Sequence, residues 1–330
     1  MLGLGGQAAN VGRTCAMGIA VGTGLATYPF SSVDGFWAWI ALCEDGGIDS
    51  IWQTDRLVSR EPFLECMSAM AALAGATKKL KFGMNVASLG IRDPLITAKE
   101  CATIDYLSNG RLLPAFGLGS NRSRDWIASG RATKARGQRM NEALEIITRL
   151  WNEEKVTFEG KHFQYTEATI SPRPAQDPLP CWIGGSARAA VERTVNYGTG
   201  WQASFQTPEE AGKVVADIMQ YAKEKGKHMD PDHMGMGFGV RFGSWDDPIV
   251  QQAASAFEKR SGRDPKTGMA VGDAEDILEM IWSYIPHGLS KFVLRPLGDG
   301  DEEMMAQSRR IIDEVLPHAK VFTERRKMAS

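Results

Sequence analysis

The sequence predicts an α/β chain closed into a (β/α)8 TIM barrel with insertion loops at the C-terminal face, and three observations carry that prediction. Eight short apolar runs, at 17–22, 50–53, 80–86, 112–118, 181–183, 201–205, 236–242 and 292–294, alternate with helical segments. Such alternation gives a parallel sheet wrapped by helices. Two of the runs end in glycine-rich turns, Gly117-Leu118-Gly119-Ser120 and Gly184-Gly185, and α/β folds build their sites at strand carboxyl ends. No linker, repeat or low-complexity tract divides the 330 residues, a length that such barrels reach as one domain.

Taken in order, residues 1–15 form a Gly- and Ala-rich leader without a charged start or a long apolar run, expected to be a flexible extension and not a signal peptide. A single domain is expected over 16–320, followed by a tail at 321–330. After the second and third strands, Asp93 can cap a helix and Pro94 occupies its first position, where a missing N–H costs nothing. That helix runs to about Ser108, and Gly110 supplies a left-handed stop. Pro114 removes a ladder donor from the fourth strand, so a bulge is expected there. Met140, Leu144, Ile147 and Trp151 recur at helical spacing and should face the barrel. Residues 152–180 read as a hairpin and a proline-rich crossing. Ser186 is placed to cap a helix that stops at Gly198, and Thr207-Pro208-Glu209-Glu210 is a capping box for a helix ending at Gly226. The segment 243–272 is polar and rich in small residues, and it reads as a mobile lid carrying Trp245. Asp273 and Asp276 open the next helix, and Pro286 and Gly288 lead into the last strand.

The composition is that of an ordinary globular chain, 43% hydrophobic and 24% charged, and a net charge of −2 gives no overall pull toward nucleic acid or anionic membrane. Cys15, Cys43, Cys66, Cys101 and Cys181 are scattered and odd in number, which argues against a disulfide framework and for a reducing cytoplasm. No run of about 18 apolar residues is present. The sequence contains no Walker A, G-x-S-x-G or H-E-x-x-H motif, and none of its five histidines ends a predicted strand, so no metal site is expected. Gly117-Leu118-Gly119 lacks the third glycine of a dinucleotide fingerprint at Arg122. Gly184, Gly185, Ser186 and Ala187 are stronger: two glycines let the backbone approach an anion, and N–H groups at a helix start point toward it. The same residues could equally make a tight turn with no ligand. Arg122, Arg124, Arg131, Lys134, Arg136 and Arg139 read mostly as a solvated face, with Arg122 or Arg124 able to attract a phosphate or an acidic cofactor tail at the barrel mouth.

Residues 91–119, IRDPLITAKECATIDYLSNGRLLPAFGLG, resemble the signature of the luciferase-like flavin monooxygenase family. Further segments resemble that family in order: EDGGIDSIW at 44–52, KFGMNV at 81–86, Arg136-Gly137 with Arg139 and Glu142, Gly200-Trp201, and KFVLRP at 291–296. The resemblance implies a non-prolyl cis peptide near Asn85–Val86 behind a flavin ring. It implies a phosphate of FMN or of the deazaflavin F420 at Ile183-Gly184-Gly185-Ser186-Ala187, after Pro172, Pro174 and Pro180. Asn85, Val86, Gly119, Ser120, Gly184, Gly185, Ser186 and Ala187 become cofactor-binding candidates, and Trp201 and Trp245 substrate or lid candidates. Three departures stand out. Asp55-Arg56 replaces a carboxylate–histidine pair, Leu118 replaces a basic residue, and Thr199 replaces an aspartate. Asp55 and Arg56 are the catalytic candidates. Arg56, always charged, would bind an anion or stabilise an oxyanion if it points inward, and would pair with Asp55 or Glu61 if it does not.

The activity implied is a monooxygenase that uses reduced FMN and O2 on a small organic substrate, as a homodimer supplied by a separate NAD(P)H flavin reductase. Alternatives are an F420-dependent oxidoreductase transferring hydride without O2, and a flavin-binding protein without catalysis.

Overall fold

The computed structural model describes residues 18–319, so the leader 1–15, the start of the first predicted strand, Cys15 and the tail 321–330 lie outside it. Its strands are β1 (Ala20–Leu25), β2 (Ser50–Gln53), β3 (Lys81–Met84), β4 (Ala87–Ser88), β5 (Leu112–Leu113), β6 (Ala115–Gly117), β7 (Val156–Glu159), β8 (Gln164–Ala168), β9 (Trp182–Gly184), β10 (Gly200–Gln202), β11 (Met234–Phe242), β12 (Met269–Gly272) and β13 (Lys291–Pro296). The helices are α1 (Val33–Asp45), α2 (Cys66–Ala76), α3 (Pro94–Ser108), α4 (Arg124–Ala128), α5 (Arg136–Asn152), α6 (Arg188–Tyr197), α7 (Pro208–Glu224), α8 (Pro248–Ser261), α9 (Ala274–Tyr284) and α10 (Gly300–Arg310).

The pairings close a parallel barrel. β1 lies between β13 and β2, β2 pairs β3, β6 pairs β9, β10 joins β9 to β11, and β11 pairs β13. The third barrel strand is β3 and β4, broken at Asn85–Val86, and the fourth is β5 and β6, broken at Pro114. β3 meets β5 and β4 meets β6, which completes a ring of eight. Proline has no N–H to give, and the Pro114 carbonyl accepts the Trp182 N–H at 2.9 Å, so the interruption joins the next strand without an orphan donor.

The interior is filled unevenly. Trp52 and Trp182 meet edge to face at 5.8 Å, and glycines on neighbouring strands make room for them. A Cβ on Gly83 would lie 3.0 Å from the Trp52 ring, and one on Gly200 would lie 2.9 Å from that of Trp182. Leu113, Ala115 and Val293 complete this layer. Below it, at the amino ends of the strands, Lys81 and Lys291 flank Asp49.

Most local expectations hold. Asp93 caps α3 through the N–H groups of Leu95 and Ile96, and Thr207 and Asp273 form capping boxes. Met140, Leu144, Ile147 and Trp151 are buried, and β7 and β8 make the expected hairpin. Two expectations need correction. Ala187, not Ser186, is the N-cap of α6, and no side chain caps that helix. The segment 243–272 is not an irregular lid: it contains α8 and β12, the latter added in parallel to β11. Val250, Phe257, Met269 and Val271 form a small core of their own, against which Trp245 packs. Ile249, Val250, Ala253, Ala254 and Phe257 follow a helical period, but the small and polar residues between them mask it.

Candidate active site

At the carboxyl ends of the barrel strands, three strand ends approach one another so closely that only glycine fits between them. The peptide bond between Asn85 and Val86 is cis, where the resemblance places it. The Asn85 N–H donates to the Gln53 carbonyl at 2.8 Å. The Val86 side chain sits between β6 and β9: a Cβ on Gly117 would lie 2.5 Å from Val86 Cγ2, and one on Gly184 would lie 3.1 Å from it. Gly119, at φ +71°, turns the chain over Ser88, whose Oγ would be 2.8 Å from an added Cβ, and Arg136 Nη1 holds the Gly119 carbonyl at 2.7 Å. Ser120 is exposed, and its carbonyl accepts Trp126 Nε1 at 3.0 Å. The structure thus gathers Asn85, Val86, Gly119 and Gly184 into one recess and puts Ser120 at its edge.

The turn after β9 opens onto the same face. Gly185 has φ +112°, and Gly185, Ser186 and Ala187 are exposed. With no side chain capping α6, the N–H groups of Arg188 and Ala189 at its first turn are left for an outside acceptor. Trp201 supports the turn after β9. Fully buried on the helix side of the barrel wall, it donates Nε1 to the Gly185 carbonyl at 2.6 Å and so braces the turn from behind. Trp245 is partly buried and packs against the α8–β12 core, with Lys266 over its ring at 5.8 Å.

Asp55 is occupied. Its carboxylate accepts Arg92 Nη2 at 2.7 Å, the Ser88 N–H at 2.9 Å and Cys66 Sγ at 3.3 Å. It therefore ties the segment after β2 to β4 and to Arg92. Asp55, Glu65 and Cys66 would suit a metal ion by their spacing, but Arg92 stands among them, 3.1 Å from Glu65 Oε1 and 3.2 Å from Cys66 Sγ. Burial, with Asp55 beside it, pushes the Cys66 thiol well up, so it stays a thiol.

Arg56 pairs with neither Asp55 nor Glu61. It lies over Phe63 at 5.7 Å, with its Nε buried and without an acceptor. Two arginines outside the sequence candidates also lie at or beyond strand carboxyl ends, Arg295 on β13 and the exposed Arg260 beside Phe205. Arg295 ends the inward-facing series Lys291, Val293, Arg295 of β13 and donates Nη2 to the Gly237 carbonyl at 2.9 Å. Arg260, in the last turn of α8, lies over Phe205 at 5.5 Å. Burial first, and the charge of Arg260 second, push Arg295 down to about 10, and burial with Arg56 lowers Arg260. Gln202, buried and inward, has both amide atoms without a partner, as has Trp182 Nε1. The signal for Arg295 was present, since FVLRP ends a barrel strand. Arg260 gave none, because its helix was read as a loop.

A profile of the luciferase-like monooxygenase family matches residues 16–279. The chain belongs to this family. Curated relatives include an uncharacterised protein of Mycobacterium bovis, 31% identical over 170 residues, a match spanning 51% of this chain and only 57% of the relative. An F420-dependent glucose-6-phosphate dehydrogenase of Amycolatopsis mediterranei is 26% identical over 316 residues, covering 84% of this chain and 92% of the relative. Among solved structures, the monooxygenase RslO1 from Streptomyces bottropensis superposes with a TM-score of 0.77 at 18% identity, over 91% of this chain and 99% of that one. An F420-dependent secondary alcohol dehydrogenase in complex with an F420–acetone adduct gives the same TM-score at 20% identity, over 91% and 98%. Flavin and F420 enzymes therefore share this family's barrel, and this chain has the same fold.

Proposed function

We propose that this luciferase-like chain is an oxidoreductase that holds the deazaflavin F420 in the barrel mouth and uses it for hydride transfer with a small organic substrate. The observation that carries the choice of cofactor is the alignment with F420-dependent relatives over most of both chains. The residues present fit such a group. Val86, wedged between Gly117 and Gly184, offers a packed floor for a flat ring, and the uncapped start of α6 offers N–H groups to a phosphate. Gln202 and Trp182 supply buried polar atoms that have no protein partner.

When bound, reduced F420 supplies a hydride. The chain's own residues bind and orient. Asn85 and Val86 would back the ring, Arg188 and Ala189 would hold phosphate through their backbone N–H groups, and Trp201 keeps the Gly185 carbonyl turned away from that anion. Arg56 stands where the family places a histidine, and a guanidinium moves no proton near neutral pH. It therefore contributes charge and hydrogen bonds, not general base catalysis.

The second reading, reduced FMN with O2 and a separate NAD(P)H flavin reductase, is favoured by the monooxygenase profile that matches most of the chain. Anaerobic titration with F420, FMN and FMNH2, followed by the absorbance of each, separates the two. F420 bound more tightly than either flavin supports the first, flavin bound more tightly supports the second, and no binding of any overturns both. We place the protein in the cytoplasm as a homodimer that buries the face where Ile96, Tyr106 and Leu107 of α3 are exposed, a state that sedimentation tests.

A further inference from the structure

Charge is unevenly spread over this molecule, although the whole chain carries only −2. The segment after β6, from Ser120 to Arg139, holds six cations, Arg122, Arg124, Arg131, Lys134, Arg136 and Arg139, against one carboxylate, Asp125. That carboxylate is buried and already accepts from the Val58 N–H at 2.8 Å and the Ser123 hydroxyl at 2.9 Å. Among the described residues none of the six cations has an ion pair.

The same segment exposes an aliphatic side chain and holds it there. α4 turns Asp125 and Trp126 inward. The Trp126 ring is buried, its Nε1 donates to the Ser120 carbonyl at 3.0 Å, and a Cβ on Gly90 would lie 2.5 Å from it. A short helix anchored on that side presents Arg124 and Ile127 outward. Ile127 is 86% exposed, the most of any large hydrophobic residue among those described. The bond from Val58 brings the loop after β2 alongside, with exposed Leu57 and Arg60. Aliphatic side chains fixed in water and flanked by cations on both sides mark a surface that meets something else.

We propose that this rim is a docking surface for an anionic lipid bilayer. Ile127 and Leu57 enter the boundary between headgroups and acyl chains, and Arg60, Arg124, Arg131 and Lys134 meet lipid phosphates. A free polyanion would answer the cations and leave Ile127 in water; a bilayer answers both. Docking is peripheral, since among the described residues no helix is long and apolar enough to cross a membrane. The segment leaves the carboxyl end of a barrel strand, and Arg136 Nη1 ties it to the Gly119 carbonyl at 2.7 Å. Docking therefore turns the barrel mouth toward lipid, where substrates that partition into the bilayer can enter. This surface does not depend on which cofactor the barrel holds.

The test is co-sedimentation of the full chain with phosphatidylcholine vesicles, with and without phosphatidylglycerol, at low and high salt. Binding is expected only where phosphatidylglycerol is present, and it should fall as salt screens the cations. Arg124→Gln and Arg131→Gln should each weaken it about fivefold, and Ile127→Ser about tenfold or more. Lys223→Gln, which removes an exposed cation at the far end of α7, should leave it unchanged. All four side chains are exposed, so Tm should hold in every variant. No binding to the phosphatidylglycerol vesicles overturns the proposal. Binding that follows the arginines but ignores Ile127→Ser also overturns it, and points to an acidic protein or a polyanion. An equal loss in Lys223→Gln overturns it as well, because the attraction is then to bulk charge. Failure of F420 to bind leaves this surface standing, since no arm of the test contains it.

Discussion

Replacing Arg92 with methionine tests how the candidate site is held together. Arg92 and Asp55 form an ion pair at 2.7 Å with side chains 12% and 2% exposed, so almost no water is available to take over from either partner. Arg92→Met leaves Asp55 charged, buried and reliant on the Ser88 N–H and the Cys66 thiol. Removing one partner of such a pair costs about 3–5 kcal/mol. In a chain of this size that corresponds to a fall in Tm of roughly 4–7 °C. Asp55→Asn in the same background removes the stranded charge, so the double variant should recover more than half of the loss. A double-mutant cycle by urea denaturation reads the coupling directly. F420 affinity should fall with Arg92→Met as well, because Asp55 holds Ser88, over which Gly119 turns. A cost below about 1 kcal/mol, or single effects that simply add, would refute a buried pair that positions β4.

Two other outcomes follow from the geometry. Although burial pulls the other way, the charges of Lys291 and Lys81 hold the Asp49 carboxyl down to about 2, against about 3.9 in an unfolded chain. A depressed carboxyl stabilises the fold above the unfolded value, so a contribution of about 2–3 kcal/mol should be present above pH ~4 and lost as the pH falls toward 2. Asp49→Asn should flatten that part of the stability–pH curve, as measured by denaturation between pH 2 and 6. At the mouth, Gly119→Ala introduces a Cβ 2.8 Å from Ser88 Oγ at φ +71°. It should cost about 1–3 kcal/mol and weaken F420 binding, checked by melting and titration together.

The fold was legible because its punctuation is local. Asp93-Pro94 starts α3, and the capping boxes at Thr207 and Asp273 start α7 and α9; each signal needs only neighbours in sequence. The most readable motifs turn out to be structural. Arg111 donates to the carbonyls of Ala74, Thr77, Leu80 and Ser108, Asp105 accepts from Leu112 and Gln176, and Glu44 accepts three successive N–H groups at 78–80. The recess around Asn85–Val86, Gly119 and Gly184 could be read because close backbone approach demands glycine. Arg260 could not, since it lies in α8, whose helical period is masked by small and polar residues. For Asp55 and Trp201 the residue type indicates chemistry, but strand parity and partners, which the sequence does not print, decide which way each side chain faces.

The central claim, that a deazaflavin lies in the barrel mouth against Asn85–Val86, is tested most directly by a crystal structure of the complex with F420. The account predicts the ring over Val86, between the ends of β4, β6 and β9, with the cofactor phosphate on the N–H groups of Arg188 and Ala189 and clear of Arg295. A ring outside the barrel mouth, or a phosphate seated away from the start of α6, would contradict it.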